Sequence, residues 1–236
     1  MPTVVDHLFV LLLAVGVPIE AVASIRWLRR EVAKDELGAR MRWYARTIIW
    51  EWSAAAVLVA WWGFAGRSPG TLGFSWPSGT GFAVCLGLTL GAIALLAAQA
   101  RSARRDPASV VRALDGLDAI RGFLPHTEAE LRRFYKVGVT AGIVEELIYR
   151  GFVMWYVASY APVWLAIAAS AVLFGAGHLY QGVNGAIRVV ALGLVAGALY
   201  WGSGSIWLPM VLHAALDVVQ GRMIFLALRE SQSATG

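Results

Sequence analysis

The sequence predicts an all-α polytopic membrane helix bundle, and three observations predict it. First, 58% of the 236 residues are hydrophobic, 15% are charged and the mean hydropathy is +0.63, outside the balance of a soluble globular domain. Second, the apolar residues gather in seven runs close to the length that crosses a bilayer. Third, fifteen of the twenty Lys and Arg lie in two of the loops between those runs. The net charge of +5 and the pI near 9.7 therefore express topology, as the positive-inside rule describes, and the bilayer, not nucleic acid, is the expected partner.

The first run, 8–25, follows Asp6 and His7 rather than a basic stretch and shows no small-residue cleavage site, so it reads as a span and not a signal peptide. Arg26, Arg29, Arg30, Lys34, Arg40, Arg42 and Arg46 fill the loop after it. The second run, 47–65, carries Trp50, Trp52, Trp61 and Trp62, which read as interface anchors. Glu20 and Glu51 lie near the inner ends of these two spans, where snorkelling or lining a cavity accounts for both. The third run, 82–100, holds the single cysteine, Cys85; with no histidine nearby it reads as a packing residue. Gly87 with Gly91, and Gly193 with Gly197, have GxxxG spacing, which favours close helix contact.

The second basic loop holds Arg101, Arg104, Arg105, Arg112, Arg121, Arg132, Arg133 and Lys136. Within residues 102–136, Val110, Leu114, Leu117, Ile120 and Leu124 recur at helical spacing opposite Arg112, Asp115, Asp118 and Arg121, as in an amphipathic linker lying along the cytoplasmic interface. Pro125, His126 and Thr127 stop it, and Thr127 with Glu130 spells a capping box that starts a helix leading into the fourth run, 137–160. Runs 163–179, 187–201 (short) and 206–228 complete seven spans. With both basic loops inside, the amino terminus is outside, the carboxyl terminus is cytoplasmic, and Trp61, Trp62, Trp76, Trp164, Trp201 and Trp207 line the outer interface. Residues 1–236 read as one integral membrane domain.

Residues 141–152, AGIVEELIYRGF, place two glutamates and an arginine within an apolar run. Such charges are costly in hydrocarbon and mark function by default. Glu146 and Arg150 are four apart with the acid first, the favoured order for a helical ion pair. Glu145 is turned about 100° from Glu146 and is the carboxylate left for chemistry. Two later segments pair groups at i,i+4: Phe174 with His178 in FGAGH, and His213 with Asp217 in HAALD. A carboxylate closed to lipid but reached by water suits general-base work, so Glu145 and His178 can hold and deprotonate a water. His213 with its partner at 217 can then face the oxyanion formed on an amide carbonyl.

EELIYR, FGAGH and HAALD resemble the EExxxR, FxxxH and HxxxN/D motifs of the CAAX-protease and bacteriocin-processing family (CPBP, or Abi), intramembrane glutamic endopeptidases, with bacterial-type wording over residues 124–220. The resemblance implies an intramembrane protease with catalytic Glu145, His178, His213 and Asp217, supported by Glu146, Arg150 and Phe174. It implies a membrane-associated or hydrophobic peptide substrate, in a bacterial plasma membrane, and no cofactor. Asp217 departs from the asparagine of the eukaryotic CAAX proteases: an ionised carboxylate repels an oxyanion. It is then protonated, orients His213 or helps bind a cation, and the orienting role is the expected one. Zinc held by the two histidines and the carboxylates is the metal-dependent alternative, although no HExxH is present. A non-catalytic membrane partner, an immunity or regulatory protein of the same fold, or an ion-coupled carrier are the alternatives from other classes. Tyr180 and Asn184 are expected to border the cavity.

Overall fold

A computed structural model describes residues 1–106 and 122–233, and seven helices run through them. Helix α1, Val4–Val32, contains a π-helical turn at Leu12–Gly16. Helices α2 and α3 are Glu36–Phe64 and Thr80–Ala103. Helix α4 runs over Glu128–Glu146, passes through a π-helical stretch at Leu147–Val153 and ends with Met154–Ala158. Helices α5, α6 and α7 are Val163–Gly177, Val183–Ser203 and Trp207–Ser233. The expected amphipathic positions Val110, Leu114, Leu117 and Ile120 lie outside the described residues.

Five helices, α1, α2, α3, α6 and α7, are long and apolar enough to cross a membrane. They make the fold an all-α polytopic helix bundle. Helix α6 extends over 21 residues, so the short member of the set is α5, with 15, rather than the sixth span as expected. Large apolar side chains face outward, as on a lipid-facing helix; Leu88, Leu90 and Leu95 of α3 are all exposed. Helix α4 is the opposite case. Its charges lower its apolarity, and it is enclosed instead: Val144, Glu146, Arg150, Phe152 and Val153 are buried.

Two glycines let that enclosure close. A Cβ on Gly142 would lie 2.6 Å from the backbone nitrogen of Ala214, and one on Gly138 would lie 2.9 Å from Cβ of Asp217. Helices α4 and α7 thus touch through Gly138 and Gly142, a small-residue pair that the reading of GxxxG spacings passed over. Gly193 and Gly197 do pack closely, against Ala171 and Ile167 of α5. Gly87 and Gly91 do not: a Cβ there meets nothing within 4 Å, because that face of α3 looks outward.

Polar clamps join α1, α2 and α4 at one end and α2 and α4 at the other. Buried Asp6 accepts from Arg67 at 2.8 and 2.6 Å and from Trp61 Nε1 at 3.1 Å. The Arg67 guanidinium lies between Trp62 (4.8 Å) and Trp155 (4.4 Å), so Trp62 is only 2% exposed and serves as a clamp wall rather than an interface anchor. At the other end the capping box forms: Glu130 N–H donates to Thr127 Oγ1 at 3.2 Å, and Thr127 N–H donates to Glu130 Oε2 at 2.9 Å. Arg40 Nη1 lies 3.4 Å from Glu130 Oε1, joining α2 to this turn. Cys85 is buried and packs with Leu199 and Leu208.

Candidate active site

Helix α4 places the two glutamates one turn beyond the tight Gly142 contact, so α7 is brought against them. Arg150 Nη1 donates to Glu146 Oε1 at 2.9 Å with both side chains 1% exposed, the expected i,i+4 pair. A second guanidinium nitrogen donates to the Gly193 carbonyl of α6 at 3.2 Å, which fixes the cation between helices. The π-helical stretch begins directly after Glu146. Within it the Tyr149 carbonyl accepts from Met154 N–H, five residues on, and from Ser170 Oγ at 2.7 Å. Such turns gather at functional sites, and nothing in the apolar spacing signals this one.

His213 of α7 reaches both glutamates. Its Nδ1 lies 2.8 Å from Glu146 Oε1, and its Nε2 lies 3.7 Å from Glu145 Oε2 and 3.7 Å from Asp217 Oδ2. The expected orienting bond from Asp217 is therefore replaced: 3.7 Å is beyond hydrogen-bond length, and Glu146 holds the ring. Although the two glutamates are turned about 100° apart on the helix, their long side chains converge on one imidazole.

His178 caps the end of α5. Its Nδ1 is 2.8 Å from the Phe174 carbonyl, and because a carbonyl only accepts, Nδ1 carries the hydrogen and Nε2 is the nitrogen left in the neutral ring to accept. Phe174 is the shared floor: its ring lies 4.7 Å from His178, 5.9 Å from His213 and 5.1 Å from Tyr149, with Arg150 4.6 Å from its centroid.

A cavity of about 350 Å³ lies between α1, α2 and α4 and has Glu145 and His178 on its wall. Leu12, Leu13, Val17, Val57 and Leu58 make most of it apolar. Leu12, Val57 and Trp50 are about half exposed, so the cleft between α1 and α2 opens outward. Tyr180 lines it; Asn184 does not. His213 and Asp217 are not on this wall but behind Glu145. Glu20 and Glu51 both line the cavity, Glu20 paired with Arg46 at 3.0 Å. For Glu51 the sequence offered a charge in an apolar run and left two readings open; only the packing of α2 on α4 decides between them. Among the described residues no three His, Cys, Asp or Glu side chains are grouped to hold a metal ion.

Residues 128–219 match the family model described as type II CAAX prenyl endopeptidase Rce1-like. Over this stretch the chain is similar to that family. No curated protein and no solved structure matches the chain. The matched stretch takes in α4, α5, α6 and the first half of α7, so it contains every group just described except those of α1 and α2. The family is one of proteases, and the three motifs that carry the polar cluster all fall inside the matched residues.

Proposed function

We propose that this protein is an intramembrane endopeptidase that hydrolyses peptide bonds of membrane-associated or hydrophobic peptides with a water activated by Glu145 and His178. One observation carries the reading: a carboxylate and an imidazole with an accepting Nε2 share the wall of an apolar cavity that opens sideways between α1 and α2. A water held between them gives a proton to Glu145 as its oxygen attacks the carbonyl carbon, with no covalent intermediate. His213, tied to Glu146 through Nδ1, in its doubly protonated form sets positive charge behind the reacting carbonyl. Asp217, 3.7 Å from Nε2, balances that charge.

The apolar walls suit an apolar peptide segment or a lipid attached to one, and the polar groups fix which bond is presented. The bacterial-type wording of its motifs suits a bacterial plasma membrane, and the charge of its loops puts residues 26–46 and 101–136 on the cytoplasmic side. The test is a mixed library of prenylated and unmodified peptides, offered to the purified protein and to Glu145→Ala. The expected result is a defined set of cuts by the wild type, insensitive to chelator and absent with the variant. Cleavage abolished by chelator would point to the metal-dependent reading instead, and no cleavage by folded wild type would favour a non-catalytic membrane partner.

A further inference from the structure

Three carboxyl groups line the cavity, and two have evident tasks: Glu20 pairs with Arg46, and Glu145 is the proposed base. Glu51 has none. Its position is well fixed, because the next residue, Trp52, donates from Nε1 to Thr140 Oγ1 of α4 at 3.2 Å and sets the rotation of α2 against that helix. Its Oε2 is buried, and among the described residues it has no hydrogen-bond partner. Glu145 of α4 and Asp217 and His213 of α7 lie within electrostatic reach of it, as do the Tyr149 and Tyr180 hydroxyls.

Among the described residues, the cations around the cavity and the polar cluster are engaged elsewhere. Arg150 is engaged by Glu146 and the Gly193 carbonyl, Arg46 by Glu20 and Ser24, and His213 is shared among Glu145, Glu146 and Asp217. Further negative charge beside Glu145 and Asp217, in an apolar wall, would be uncompensated, whereas a neutral carboxylic acid there is an O–H donor facing the place where Glu145 works.

We infer that Glu51 is the general acid of the reaction, the group that protonates the departing amine. The inference rests on the peptidase reading. A C–O bond forms from the water as Glu145 takes one of its protons. The C–N bond then breaks, its electron pair stays on nitrogen, and the Glu51 proton passes to that nitrogen. Glu51, now a carboxylate, recovers a proton from the Glu145 carboxylic acid directly or through a water, so one water is consumed and the enzyme returns to its starting state.

Leaving-group chemistry tests this. One acyl peptide is offered as the ordinary amide and as the p-nitrophenyl ester, whose phenolate departs without a proton. Glu51→Gln is expected to slow the amide about 100-fold or more, the range general acids supply, while the ester stays within a few-fold of wild type. Glu145→Gln slows both. An unchanged amide-to-ester ratio in E51Q overturns the inference and leaves the peptidase reading intact; a folded wild type that cuts neither substrate removes that reading and the inference with it. If E51Q does not fold, Glu51→Asp, which withdraws the acid by one methylene, must lower the amide rate more than the ester rate, and equal effects on both overturn the inference.

Discussion

Arg150 shows how much one side chain can hold. It is 1% exposed, bonded to Glu146 and the Gly193 carbonyl, and stacked over Phe174. Arg150→Ala would leave Glu146 buried without its cation, a loss of about 3–5 kcal/mol for a broken buried pair. The expected outcome is a clear drop in thermal midpoint in detergent, far beyond the change from replacing exposed Arg229. The Glu146–Arg150 pair was legible in the sequence because both partners share one helix and one face. The bond from Glu146 to His213 was not, since it joins residues 67 apart in sequence, and no local spacing says which carboxylate an imidazole on another helix will meet. That is why the orienting role went to Asp217, the acid on the same helix as His213.

Among the elements, α4 and α7 form the contact on which the site depends, and its closeness comes from Gly142. Replacing it by Leu would drive a side chain into the Ala214 backbone and part the two helices. Gly142→Leu is expected to abolish activity and lower the detergent melting temperature, while Gly87→Leu, on an open face of α3, leaves both near wild type. The helices themselves were legible from apolar runs, and the start of α4 from its capping box, because those signals are local. The contacts were not: four GxxxG glycines looked alike in sequence, yet one pair packs and the other meets nothing, which depends on the neighbour each face receives. The π-helical stretch after Glu146 escaped for the same reason, as its extra carbonyl bond comes from Ser170 of α5.

At the scale of the whole molecule, the clamp at Asp6 joins α1, α2 and α4, the clamp at Glu130 joins α2 and α4, and between them the α1–α2 cleft stays open. If substrate enters there, narrowing the cavity should weaken binding more than chemistry. Ala54 lines it, and Ala54→Trp is expected to raise KM for an apolar peptide about tenfold or more, with kcat little changed, in steady-state assays. The membrane class and the three polar motifs were legible from composition and spacing. The lateral cleft was not, because it is a space between helices that no residue pattern encodes.

The central claim is that Glu145 drives water-dependent peptide cleavage inside the membrane. Its most direct test is single-turnover cleavage of a membrane-anchored peptide in lipid nanodiscs by wild type and Glu145→Gln, with the melting temperature of each measured alongside. The account predicts cleavage by the wild type and a loss of about 100-fold or more in a variant that melts like the wild type. A Glu145→Gln protein that cuts at the wild-type rate would contradict it.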